Sequence, residues 1–124
     1  MKAWTPQDLE RIGDAEEMDI ASLRPDGSLR RYVTIWLVRV DEGLYVRSAF
    51  GSENPWFRRA VVAAEGRIRA GGVERDAAFE PPDHALDAAI TNAFHEKYDR
   101  FGAELVDPVV SAESEVATLR LVPR

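Results

Sequence analysis

A chain of 124 residues, 45% apolar and 31% charged, is sized for one soluble globular domain with a single core, taken here to span residues 1–124. With 16 basic residues against 22 acidic ones the net charge is −6, so the overall field opposes nucleic acid and anionic membrane surfaces. The absence of cysteine excludes disulfides, thiol catalysis and Cys-ligated metal or iron-sulfur sites.

Thr5-Pro6 followed by Gln7 and Asp8 has the chemistry of an N-cap and first helical turn, predicting a short helix that stops near Gly13. No apolar core of a signal peptide follows, and no later run approaches the roughly 18 apolar residues of a membrane span, so a cytoplasmic location is expected. Residues 18–23 alternate in part, and Pro25-Asp26-Gly27 supplies the turn that makes a first hairpin. RYVTIWLVRV, residues 31–40, is rich in β-branched and aromatic residues on both faces and predicts one central, buried strand. Asp41-Glu42-Gly43 then turns the chain, with the positive φ expected at the glycine, and GLYVRSAF returns as its partner. Along it Leu44, Val46, Ser48 and Phe50 share one face, and Tyr45, Arg47 and Ala49 the other.

Asn54-Pro55 opens a second helix in which Phe57, Ala60, Val61 and Ala64 recur at core spacing, with Gly66 expected to end it. RIRAGGVERDAAFE is a hairpin about Gly71-Gly72, and its register sets Arg69 against Glu74 and Arg67 against Asp76. Pro81-Pro82-Asp83 caps a longer helix whose apolar face holds Leu86, Ala89, Ile90, Ala93, Phe94, Tyr98 and Phe101. Asp107-Pro108 reads as a loop, and VATLRLV as a last strand stopped by Pro123. Hairpins joined in this order argue for an antiparallel α+β domain built as a small barrel with flanking helices.

The chemistry-bearing residues are few. His84 stands at a helix start beside prolines, and His95 lies opposite the apolar stripe near Glu96 and Asp99, so neither completes a metal site or an acid-base pair. No nucleophile elbow, phosphate-binding loop or dinucleotide fingerprint is present. What stands out is a set of arginines and aromatics: Arg24, Arg30, Arg31, Arg47, Ser48, Arg58, Arg59 and Arg75, with Trp36, Phe50 and Trp56. Arg58 and Arg59 fall in the first turns of a helix, where the dipole disfavours cations, and neither has an acid three or four residues away. Arg47, Ser48 and the amides that follow lead into the same helix, and together these groups can donate to a phosphate. Two readings stay open: a ligand anion, or carboxylates across a subunit interface. Arg75 shares a strand face with Val73, Ala77 and Phe79, so it needs a buried or interfacial partner or must snorkel to water.

The run TIWLVRVDEGLYVRSAFGSENPWFRRAV, followed by GRIRAGGVERDAAFEP and TLRLVPR, resembles the family catalogued as domain of unknown function 2255, over residues 4–124. That family is similar to the flavin-binding split-barrel superfamily and its deazaflavin-dependent nitroreductase-like members. The resemblance implies a small antiparallel split β-barrel, a homodimer, and a groove for flavin mononucleotide (FMN) or a deazaflavin used in hydride transfer to a small substrate, without a metal. It places Ser48, Ala49, Phe50 and Gly51 in the turn that approaches the cofactor. Trp56 and Phe57 begin the adjoining helix, Arg47, Arg58 and Arg59 serve the phosphate, and Arg24 and Arg30 match basic positions at the first hairpin. Pro25-Asp26 stands where those proteins often carry Lys-Ser, and Phe50 where their turn has a lysine. The alternative is a dimeric, cofactor-free binding or structural module on the same fold.

Overall fold

The computed structural model describes residues 3–124. The Thr5 hydroxyl accepts from the Asp8 amide at 3.1 Å and caps helix α1 (Pro6–Asp14), which buries only Leu9 and Ile12 as a narrow stripe against the sheet. Seven strands follow: β1 (Met18–Ser22), β2 (Val33–Ile35), β3 (Leu37–Val40), β4 (Gly43–Arg47), β5 (Glu65–Ala70), β6 (Val73–Glu80) and β7 (Thr118–Pro123). All pair antiparallel in one sheet of order β2-β1-β5-β6-β7-β4-β3. The two edge strands, β2 and β3, are neighbours in the chain with only Trp36 between them. A single residue spanning both edges requires the sheet to curl almost shut, which makes a split barrel.

Within residues 31–40 there are therefore two edge strands, β2 and β3, and the expected single central strand is corrected. The cause is at Trp36, which leaves the ladder to stack on Tyr98 with ring centroids 4.1 Å apart. The Tyr98 oxygen accepts from the Leu37 amide at 3.1 Å, and its proton faces the carbonyls of Glu16 at 2.8 Å and Leu37 at 2.9 Å. One side chain thus supplies the hydrogen bonding that a neighbouring strand would otherwise give.

Other local expectations shift for similar steric reasons. Asp41, not Gly43, takes the positive φ of 53°, because Gly43 already belongs to β4, where a Cβ would run into the Tyr45 ring. Helix α2 (Pro55–Ala63) ends on Ala64 in the left-handed conformation, and Gly66 lies inside β5. Phe57 and Ala60 are its buried residues, while Val61 is 51% exposed. The β5–β6 register matches expectation, with Arg69 opposite Glu74 and Arg67 opposite Asp76. Arg67 pairs with Asp76 at 2.9 Å, whereas Arg69 reaches to Asp19 on β1 at 3.1 Å and covers the Tyr32 ring. The Thr34 hydroxyl and then Arg69 hold the Asp19 carboxyl below its usual range. Arg75 finds Asp8 of α1 at 2.9 Å.

Helix α3 (Asp87–Tyr98), bounded by short 3-10 turns, buries Ile90, Phe94 and Tyr98 against Val38 and Tyr45, leaving Ala89 and Phe101 of the expected stripe exposed. The chain at Asp107-Pro108 is helical: Pro108 sits in the last turn of α4 (Ala103–Val110), where its missing N–H forgoes one bond near a helix end. A short helix α5 (Ala112–Glu115), capped by Ser111, leads into β7. One apolar cluster, including Ile12, Met18, Leu37, Leu44 and Ile68, fills the barrel; a second lies between the outer face of β3 and β4 and helices α3 and α4. No helix among the described residues is long and apolar enough to cross a membrane.

Beside the Trp36 corner, Lys97 Nζ donates to the carbonyls of Gly13 and Leu37, each at 3.0 Å. Burial pushes the Lys97 ammonium down to about 8 from 10.5, and pushes the Tyr98 phenol up to about 12. Folded Lys97 releases its proton before the unfolded chain does, so stability should rise with pH between about 8 and 10.5. Folded Tyr98 keeps its proton longer than the unfolded chain, so stability should fall between about 10 and 12. Urea unfolding across this range should show a maximum near pH 10, and Lys97→Met should flatten a rise of roughly 2 kcal/mol. An undiminished rise in that variant would contradict the assignment.

Candidate functional site

Two elements face each other across a groove. The first is the β1–β2 connection, closed by a Leu23–Leu29 bridge and tightened at Asp26, whose carboxylate accepts from the Ser28 amide at 2.9 Å and hydroxyl at 2.6 Å. Those hydrogen bonds lower the Asp26 pKa, and Gly27 takes the φ of 87° that the turn demands. Arg24 is pinned across this turn by a 2.7 Å bond from Nη1 to the Leu29 carbonyl. The second element is α2. Burial of Phe57 and Ala60 fixes its rotation, leaving Arg58, Arg59 and Val62 on its exposed side.

The groove has two compartments. The larger, about 670 Å³, is walled by Leu23, Pro25, Pro55, Arg58, Val62 and Ala63, with Glu65 also on its lining. The smaller, about 500 Å³, is walled by Ile20, Ser22, Arg31, Tyr32, Val33, Trp56 and Ala60. Arg24, Arg30 and Arg59 line both. Among the described residues, no carboxylate oxygen lies within 4.0 Å of the guanidinium nitrogens of Arg24, Arg30, Arg58 or Arg59. Glu65 is engaged by Arg124 at 3.3 Å. Arg30 Nε is buried with no hydrogen-bond partner, a condition that costs about 1–3 kcal/mol unless a ligand or water meets it. The α2 N-terminus adds to the positive field, since Asn54 makes no side-chain cap and no acid lies in the first turn.

Of the residues singled out from sequence, Trp56, Arg58 and Arg59 meet Arg24 and Arg30 at this groove. Arg47, Ser48, Ala49, Phe50 and Gly51 do not line either compartment. Arg47 is 2% exposed and its nitrogens are taken: Nε donates to the Thr118 hydroxyl at 3.0 Å, Nη1 to the Thr91 hydroxyl at 2.8 Å and the Val109 carbonyl at 3.3 Å, and Nη2 to the Asp87 carbonyl at 3.1 Å. Burial pulls its pKa down, partly offset by Glu115 and Asp87. The turn that follows closes on itself. The Ser48 hydroxyl donates to the Gly51 carbonyl at 2.6 Å, and the amides of Ser48, Phe50 and Gly51 donate to Ala117, Pro108 and Ser48 carbonyls. Ala49 packs on the outer cluster, and the Phe50 side chain is 81% exposed at a φ of 67°.

His84 and His95 each sit against one aspartate, Asp87 at 2.9 Å and Asp99 at 2.8 Å. What sequence did not signal is the orphaned Arg30 Nε and the apolar wall of Pro25, Pro55 and Val62; the proline pair could have been noticed as flanking both elements that carry arginine.

Residues 8–121 match the family described as an uncharacterized protein conserved in bacteria, domain of unknown function 2255 (DUF2255). The chain belongs to that family. No curated protein matches it. Solved structures similar to this DUF2255 chain include HutZ, the heme storage protein of Vibrio cholerae, at 15% identity and a TM-score of 0.63, covering 100% of this chain and 92% of that one. An F420 reductase is similar at 16% identity and a TM-score of 0.52, covering 94% and 90%. A FAD-binding protein of Mesorhizobium loti is similar at 12% identity and a TM-score of 0.50, covering 98% and 90%. At these identities the likeness establishes the split-barrel fold of the DUF2255 chain, and its groove must be read from its own residues.

Proposed function

We propose that the groove between the residue 23–30 turn and α2 binds a phosphate-bearing flavin or deazaflavin nucleotide. The observation that carries this reading is the convergence of Arg24, Arg30, Arg58 and Arg59, without a carboxylate partner among the described residues, on a chain of net charge −6. Guanidinium groups donate bidentately to phosphate oxygens, and Arg30, on the lining of both compartments, has no carboxylate partner among the described residues. The compartments fall in the size range of small-molecule sites, roughly 300–1,000 Å³. Proline and acid at positions 25 and 26 do not spoil the fit: Asp26 is folded into its own turn, and Pro25 adds apolar wall.

Similar structures are named for heme storage, F420 and FAD, which supports a cofactor groove on this fold. Among the described residues the lining holds no histidine, methionine or cysteine to ligate heme iron, and its one tyrosine, Tyr32, lies under the Arg69 guanidinium, whereas the arginines suit a nucleotide. A bound flavin or deazaflavin would supply the hydride chemistry. Trp56, half-buried against the barrel core, gives a flat apolar wall that excludes water, and the arginines orient the ligand by its anion.

The visible spectrum of the purified protein and titrations with FMN and a deazaflavin test this reading. Arg58→Ala with Arg59→Ala should weaken FMN about a hundredfold and riboflavin little, since charge-assisted hydrogen bonds contribute about 1.5–3 kcal/mol each. No chromophore and no saturable binding would overturn it. So would a double variant that splits an oligomer while leaving ligand affinity intact, because the arginines would then serve an interface.

A further inference from the structure

We infer that the ligand carries its phosphate internally, as a diester or pyrophosphate joining two groups, and not as a terminal monoester. The inference deepens the nucleotide reading above and rests on it for the choice of ring. Its basis is that Arg24, Arg30 and Arg59 line both compartments, so an anion held by them has space on two sides. A terminal phosphate would fill one compartment with its ligand and leave the other, of about 500 or 670 Å³, to water, in the larger case against the apolar wall of Pro25, Pro55, Val62 and Ala63.

The two walls differ in a way that assigns the halves. Trp56 and Tyr32 border the smaller compartment and are the aromatic residues on the groove lining, the side-chain type that packs with a planar heterocycle. Pro25, Pro55, Val62 and Ala63 border the larger one, whose lining includes the single acid Glu65 and no aromatic ring. A nucleoside or other bulky, weakly polar group fits there. This assignment also accounts for Val62, an apolar side chain left 88% exposed on the groove side of α2, which a second ligand half would cover.

Charge-matched pairs of probes isolate the effect. FMN and FAD both carry close to two negative charges, as do AMP and ADP-ribose, so a preference within either pair reports an internal pyrophosphate with a group on each side and not a difference in charge. By calorimetry, FAD should bind at least about tenfold more tightly than FMN, and ADP-ribose should exceed AMP in the same sense. Val62→Trp, at an exposed position, should crowd the larger compartment and cut FAD affinity by about tenfold while leaving FMN unchanged. FMN equal to or tighter than FAD, with AMP equal to ADP-ribose, would overturn the internal phosphate while the flavin reading stands. ADP-ribose preferred over AMP with no flavin bound would support the internal phosphate and overturn the flavin. Failure of all four probes, and of a phosphodiester-bearing deazaflavin titrated beside them, to bind overturns both.

Discussion

Gly66→Ala is expected to destabilise the barrel by about 3 kcal/mol, measured as a lowered urea midpoint, although it adds one methyl group. Gly66 pairs with Ser22 on one side and Ala77 on the other, and a Cβ there would overlap the Ala21 carbonyl oxygen and the Ser22 Cα. Both obstacles are backbone, so no side chain can rotate away; β1 must part from β5, next to the turn that carries Arg24. Gly72→Ala is the control. A Cβ at Gly72 meets nothing within 4 Å, and only its φ of 81° is strained, so its cost should stay near 1 kcal/mol. Equal effects at the two positions would show that β1 and β5 are not tightly apposed.

Arg47→Ala should cost roughly 3–5 kcal/mol through the cavity it leaves and the four acceptors it orphans. Those acceptors belong to α3, α4 and β7, so one guanidinium ties three elements to β4. The charge has neutral partners, and its desolvation offsets part of what the hydrogen bonds contribute. Arg47→Lys should therefore recover only a fraction, because an ammonium lacks the planar fork that reaches all four acceptors. Thermal unfolding of the three proteins checks the order. An Arg47→Ala variant of unchanged stability that no longer binds phosphate-bearing ligands would return Arg47 to the site.

The contrast between Arg47 and Arg59 shows where sequence was sufficient. Alternation along β4 correctly set Arg47 with Tyr45 and away from Leu44 and Val46. What alternation could not show is that α3, far along the chain, covers that face and supplies Asp87 and Thr91. The unanswered cations at the α2 start were legible because the helix dipole and the missing acids are local facts. The β5–β6 hairpin was legible for the same reason: Gly71-Gly72 fixes its register without help from elsewhere. Residues 31–40 were not, since a run of strand formers carries no mark of the point where Trp36 abandons the ladder for Tyr98. Gly66 was misread because a glycine that ends a helix and one that admits a neighbouring backbone look alike until Ala21 is placed beside it.

The central claim is that the anion is taken by the groove arginines and not by the Arg47–Gly51 turn. Arginine Nε–Hε resonances, followed by NMR through an FMN titration, test it most directly. The expected result is saturable shifts at Arg24, Arg30 and Arg59, with Arg47 unmoved in its buried hydrogen bonds. Shifts at Arg47 with the groove arginines unmoved would contradict it.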